Sequence, residues 1–177
     1  MPIYTGGGDE GMTDLRTMER ISKSHPRIEA CGTVDELNAL VGRIRPTGYD
    51  DLDDRLSTVQ NHLHVIQAAI ANPESGTDDP DVTAEHVDRL ETWIDAYDDE
   101  LDPLQSFVLP GGSETGATLH HARTVCRRAE RRVVSLAESA PVNPEIVRYL
   151  NRLSDVLFVF ARVANARDGV SEEHPTY

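Results

Sequence analysis

Residues Ser106–Val134 read SFVLPGGSETGATLHHARTVCRRAERRVV. The stretch opens apolar, turns at Pro110-Gly111-Gly112, and then carries the pattern of a long helix. Ser113 is a natural N-cap, because its hydroxyl can accept from an orphan amide one turn in. Five arginines fall within the ten residues 123–132: Arg123, Arg127, Arg128, Arg131 and Arg132. Arg123, Arg127 and Arg131 step by four and share one face, with Glu130 three residues beyond Arg127. Two readings follow. The face is either a solvated row of Arg–Glu pairs or an anion site, since guanidinium forks match phosphate oxygens.

The periodicity outward from this stretch is helical throughout. Thr33-Val34-Asp35-Glu36 has capping-box spacing and predicts a helix from Thr33 to about Pro46, with Val34, Leu37, Leu40, Val41 and Ile44 on one face. Asp35 then falls in the first turn, where a carboxylate suits the helix dipole. Leu56, Val59, Leu63, Ile66 and Ile70 predict a second helix over Leu52–Ala71. His62 and His64, two apart, are read as surface residues. Asn72–Pro80 is an acidic loop. A third helix over Asp81–Asp99 turns Val87, Leu90, Ile94 and Tyr97 inward, with Trp93 as packing. Asn143-Pro144 announces a fifth helix, with Asn as N-cap and Pro at the first helical position. Ile146, Leu150, Leu153, Leu157, Phe160 and Ala164 form its apolar stripe. Asn151, at the stripe's edge, is a candidate for an interhelical hydrogen bond. Gly169 closes that helix, and residues 170–177 read as a polar tail. No strand or internal repeat is evident. The expected fold is all-α: one domain spanning residues 1–177, an antiparallel five-helix bundle over 33–169 preceded by a loop segment over 1–32.

The charge balance narrows the function. There are 31 acids against 17 bases, a net charge of −14, and Lys23 is the lone lysine. Such a surface argues against general nucleic-acid or anionic-membrane binding. It fits a cytoplasm of high salt, where self-repulsion is screened. Two cysteines, Cys31 and Cys126, form neither a CxxC pair nor a disulfide framework, which points to a reducing, cytoplasmic compartment. No apolar run is long enough to span a membrane. The glycine-rich loop Tyr4-Thr5-Gly6-Gly7-Gly8-Asp9-Glu10-Gly11-Met12-Thr13 can turn backbone N–H groups toward an anion. Its G-x-G-x-x-G spacing lacks the βαβ context of a dinucleotide fold. Lys23 follows in a second loop with hydroxyl groups. His120 and His121 resemble no metal site, and no metal-ligand set is found.

Four separated pieces together resemble a known family: Y-T-G-G-G-D-E-G-M-T from Tyr4, E-A-C-G-T-V-D-E-L-N from Glu29, S-F-V-L-P-G-G-S-E with A-R-T-V-C-R-R-A-E-R-R, and N-P-E-I-V-R-Y-L-N-R-L-S-D-V-L-F from Asn143. In order and register they resemble the PduO-type ATP:cob(I)alamin adenosyltransferases over nearly the whole chain. One departure stands out. The family loop is commonly T-K-T-G-D or T-R-T-G-D, whereas Thr5-Gly6-Gly7-Gly8-Asp9 carries no basic side chain.

The resemblance implies a ferritin-like, up-and-down bundle forming a homotrimer with sites at the subunit interfaces. It implies ATP, Mg²⁺ travelling with the triphosphate, and cobalamin as substrate. A reductase and an adenosylcobalamin-dependent enzyme are the further partners it suggests. Matching positions place Thr5, Gly7, Gly8, Asp9, Gly11 and Thr13 in a loop over the triphosphate, with Lys23 beside it. Arg127 would hold the phosphates, while Glu130 and Asn151 would position the nucleotide and its metal. Asp35 would pair with Arg123 across the interface, and Phe107 would face the cobalamin. A different ATP-using transferase, a phosphate sensor and a purely structural bundle remain the competing readings, because fold alone does not set function.

Overall fold

The computed structural model describes residues 3–72 and 79–177. Five helices carry it: α1 (Pro26–Ile44), α2 (Asp50–Ala71), α3 (Ala84–Asp98), α4 (Glu114–Ala137) and α5 (Pro144–Arg167). A short hairpin precedes them, β1 (Met12–Asp14) and β2 (Arg20–Ser22). Its strands pair antiparallel, with Thr13 opposite Ile21 and Asp14 opposite Arg20. α1 packs on α2 and α4, α4 on α5, and α5 on α3. The core is one continuous apolar cluster. It includes Val34, Leu37, Leu56, Leu63, Val133, Leu150 and Phe160, all fully buried. Among the described residues, no helix is long and apolar enough to cross a membrane.

Two helix starts follow the sequence signals closely. The Ser113 hydroxyl accepts from Gly116 N–H at 3.1 Å, and Asn143 Oδ1 accepts from Glu145 N–H at 2.9 Å. α1 differs. It starts at Pro26, seven residues before Thr33, with His25 as N-cap accepting from Arg27 N–H at 3.1 Å. Proline at the first helical turn sacrifices no helix hydrogen bond, so His25-Pro26 starts the helix. Thr33 instead lies in the interior and donates its hydroxyl to Glu29 C=O at 2.7 Å. Asp35 is therefore well inside α1, and the helix-dipole reading of its position falls away. The expected absence of strands is also corrected by the hairpin. Most of the Asn72–Pro80 loop, residues 73–78, lies outside the described residues.

His62 is another correction. It is buried, not on the surface, and its Nδ1 lies 3.1 Å from the Tyr149 hydroxyl. Its ring also meets the His86 ring edge-on at 4.6 Å. Burial first, then the His86 and Arg89 charges, push its pKa down from 6.5 to about 4. The unfolded chain therefore takes up a proton that the folded chain refuses. Stability from this site is complete above the unfolded value of 6.5 and drains as pH falls toward 4. By about pH 5 the loss amounts to roughly 2 kcal/mol. Thermal melts at about pH 7 and about pH 5 should therefore separate more for the wild type than for His62→Gln. Equal separation would move the acid sensitivity to other groups.

One side chain from α5 sets the turn before α4. Asn165, 2% exposed, accepts from Ser113 N–H at 2.9 Å and donates to Gly111 C=O at 3.0 Å. Gly112, at φ 112°, and Gly116 both back directly onto its carboxamide. A Cβ at either glycine would overlap that group. Both glycines are thus required by one buried amide.

The C-terminal segment is tied down as well. Arg162, buried, binds Glu172 through Nε at 2.6 Å and Nη2 at 3.1 Å, and reaches Asp102 C=O at 2.8 Å. Leu109 N–H donates to Glu173 C=O at 2.8 Å. Within the polar tail, 170–174 forms a strap across the linker between α3 and α4.

Candidate nucleotide and corrinoid site

The arginines of α4 divide into two sets. Arg128 pairs with Glu36, and Arg132 pairs with Glu29 at 3.8 Å, so these two tie α4 to α1. Arg123, Arg127 and Arg131 make no hydrogen bond or ion pair among the described residues. Arg127 and Arg131 are exposed, and Arg123 is half-buried with its Nε enclosed. Glu130 does not neutralise Arg127. Its Oε1 accepts instead from Asn151 Nδ2 on α5 at 2.9 Å. That is the interhelical hydrogen bond expected of Asn151. It fixes an amide and a carboxylate side by side, with Glu130 three residues beyond Arg127 on α4. The picture of a row of Arg–Glu pairs fits Arg128 and Arg132, not the 123–127–131 face.

The glycine loop is shaped by its own turns. Asp9 N–H donates to Gly6 C=O and Gly11 N–H to Gly8 C=O, both at 3.2 Å. Gly7 N–H reaches the Thr5 hydroxyl at 3.4 Å. The hairpin then brings the second predicted loop beneath the first: Lys23 N–H donates to Gly11 C=O at 2.9 Å. Lys23 Nζ lies 2.8 Å from where a Cβ on Gly8 would stand, so a glycine there gives the ammonium room. Lys23 has no carboxylate partner among the described residues. Thr13 sits in β1, and Asp9 is exposed at the loop's turn.

Within one chain, Asp35 and Arg123 form no ion pair. Asp35 Oδ1 accepts from Gln67 Nε2 at 3.0 Å. No hydrogen bond or ion pair joins the glycine loop to the α4 arginines among the described residues. His120, one turn before Arg123, is 2% exposed and neither ring nitrogen has a partner. Burial, then the Arg123 charge, hold it below the ordinary histidine range.

Phe107 is 80% exposed, so packing against α4 does not explain it. Its backbone is nonetheless held: His174 Nδ1–H donates to Phe107 C=O at 2.9 Å and lies 3.0 Å from the Ser106 hydroxyl. A cleft of about 810 Å³ lies between this linker and the strap, lined among others by Leu101, Leu104, Arg162 and His174. Among the described residues, no group of three or more His, Cys, Asp or Glu side chains could hold a metal by itself. Glu130 offers one carboxylate. That suits a magnesium ion that takes its other ligands from phosphates and water.

Sequence reasoning missed Arg20, Asn165 and His174. Arg20 left its signal only in the three-residue ladder that places it opposite Asp14.

Comparison with known proteins gives a consistent result. The cobalamin adenosyltransferase family model matches residues 3–164. The corrinoid adenosyltransferase of Bacillus subtilis is 44% identical, over 97% of this chain and 91% of its own length. Two solved structures of the PduO-type enzyme from Lactobacillus reuteri superpose over 99% of this chain and 100% of theirs, each 31% identical. One is a phenylalanine-to-alanine variant complexed with cobalamin and ATP, with a TM-score of 0.93. The other is an arginine-to-lysine variant complexed with ATP, at 0.91. With the glycine loop, the free α4 guanidinium groups and the five-helix frame in place, the chain belongs to the cobalamin adenosyltransferase family.

Proposed function

We propose that this chain transfers the 5′-deoxyadenosyl group of ATP to Co(I) of reduced cobalamin, giving adenosylcobalamin and triphosphate. The observation that carries the reading is the unpaired Arg123–Arg127–Arg131 face beside the Glu130–Asn151 pair. In a chain of net charge −14, unneutralised guanidinium groups mark a place for an anionic ligand.

The chemistry asks little of the protein as a nucleophile. Co(I) itself attacks C5′, the C5′–O bond breaks, and its electron pair leaves with the triphosphate. No covalent enzyme intermediate is required. The protein orients C5′ and stabilises the charge that develops on the leaving group. Arg127 holds the phosphates through its fork. Glu130 and Asn151 position the nucleotide, and Glu130 is the residue to receive its Mg²⁺. Thr5, Gly7, Gly8, Asp9, Gly11 and Thr13 close over the triphosphate, and Lys23 adds a cation from below. Phe107 faces the corrinoid.

The loop and the arginine face are not bonded to each other within one chain. Asp35 and Arg123 each lack a charged partner there. Both facts support a homotrimer of ferritin-like, up-and-down bundles, with one chain's loop meeting the next chain's α4 and Asp35 pairing with Arg123 between them. Sedimentation in molar KCl should give a species near three times 19.6 kDa. A strict monomer with full activity would remove the interface assignment. The acidic surface and the single lysine support work in a salt-rich cytoplasm. The product's use requires an adenosylcobalamin-dependent enzyme, and the substrate's supply requires a reductase.

The deciding experiment is anaerobic incubation with cob(I)alamin and Mg-ATP in molar KCl, followed by the cobalamin absorption spectrum. Conversion to adenosylcobalamin is expected. ATP binding without conversion would assign the chain to another ATP-using activity.

A further inference from the structure

The glycine loop lacks a basic side chain, yet a guanidinium reaches it from the other strand of the hairpin. Arg20 Nη2 donates to Gly7 C=O at 2.6 Å. Arg20 Nη1 lies 3.4 Å from Asp14 Oδ1, the residue directly opposite it in the ladder. One fork thus spans a strand carboxylate and a loop carbonyl. We infer that Arg20 is a positioning residue for the nucleotide: by binding Gly7 C=O it holds the loop with its carbonyls tied and its amides free for phosphate. This rests on the reading of the loop as the triphosphate loop.

The hydrogen-bond accounting supports it. Gly6, Gly7 and Gly8 each use their carbonyl internally, accepting from Asp9, Arg20 and Gly11 respectively. The N–H groups of Gly8 and Glu10 have no partner among the described residues. A carbonyl oxygen left to rotate toward a triphosphate would repel it, whereas free amides converging on it attract it. Gly7 is the position where no turn of the loop itself supplies the donor, so an outside donor decides the carbonyl's direction. Arg20's own charge is offset by Asp14, so its contribution is geometric more than coulombic. The hairpin explains why the site is there: cross-strand pairing aligns Asp14 with Arg20 and carries the guanidinium back over the loop.

The test is steady-state kinetics of Arg20→Gln and Arg20→Lys in high salt, with thermal melts of both and titration with inorganic triphosphate. Expected for Arg20→Gln is a KM for ATP raised about tenfold, and triphosphate affinity weakened in step. The KM for cob(I)alamin and the melting temperature should stay unchanged. Arg20→Lys should behave like the Gln variant, because one ammonium cannot reach Asp14 and Gly7 together. Restoration by Lys would show that charge alone matters and overturn the positioning role. An unchanged KM for ATP in the Gln variant would do the same, as would equal losses for both substrates with a lowered melting temperature. The wild type guards the underlying reading separately: if it neither binds triphosphate nor converts cob(I)alamin, the function assignment fails and not Arg20's place within it.

Discussion

Arg127→Ala is expected to lower the rate of adenosyl transfer about 10²- to 10³-fold, or ~3–4 kcal/mol of transition-state stabilisation, while leaving the fold intact. The two halves of that expectation come from the same observation. Arg127 is exposed and has no hydrogen bond or ion pair among the described residues, so its removal orphans nothing. Substitutions at such positions change stability by about 0.5 kcal/mol at most. The triphosphate, by contrast, gathers negative charge as the C5′–O bond breaks, and on the proposed assignment the preset Arg127 guanidinium would stabilise it without reorganisation. Arg127→Lys should recover little, since a point charge cannot span two oxygens of one phosphate. Arg128 is the internal control. It is already committed to Glu36 at the surface, so Arg128→Ala should cost about 0–1 kcal/mol of stability and little activity. Melts and turnover of the three variants, measured side by side, decide the matter. If Arg127→Ala and Arg128→Ala lose activity alike, the division of α4 into paired and free arginines has no functional meaning.

That division shows where sequence reasoning stops. The spacing of four puts Arg123, Arg127 and Arg131 on one face, and this was legible from one dimension. Which arginines are neutralised was not, because the partners Glu36 and Glu29 lie 92 and 103 residues away and only the packing of α1 on α4 brings them in. Local signals fared according to how many alternatives they left open. Ser113 and Asn143 had one plausible role each, and both cap their helices. Thr33 had two: a threonine three residues before a glutamate can cap a helix, or it can donate to the carbonyl four residues back inside one. The competing start at His25-Pro26 decided between them. The hairpin escaped notice because three-residue strands are too short for alternation to register. His62 did leave a signal. It falls between Val59 and Ile66 at spacings of three and four, on the buried stripe, a position that pairing it with His64, two residues on, left unweighed. Of the site, the residue types were visible and the contacts holding them were not. Asn165, Arg20 and His174 each act through a pair of hydrogen bonds to other segments that no periodicity encodes.

Phe107→Ala tests the corrinoid side of the same assignment, and the exposure of the ring sharpens it. Were Phe107 a buried packing residue, its truncation would cost roughly 3–5 kcal/mol of stability. At 80% exposed it contributes little to the fold, and the variant should melt like the wild type. The backbone beneath it is held by His174 and by the Leu109–Glu173 hydrogen bond, so the ring is presented outward from a fixed base. An aromatic ring kept in water at that cost is a surface waiting for an apolar contact. Covering it on binding returns about 1.5–3 kcal/mol. If Phe107 meets the lower face of cobalamin, as proposed, its bulk would exclude water and the dimethylbenzimidazole from the axial position. Loss of that ligand removes electron density from cobalt and eases reduction of cob(II)alamin to Co(I). Phe107→Ala should therefore bind ATP normally and bind cob(II)alamin with its axial ligand retained. Its loss of activity should be greater when the assay starts from cob(II)alamin plus reductant than when it starts from preformed cob(I)alamin. Electron paramagnetic resonance of the cob(II)alamin–ATP complex reads the coordination directly. A four-coordinate signal in the variant equal to that of the wild type would transfer the axial-blocking role to another residue and leave Phe107 as an exposed side chain of the linker.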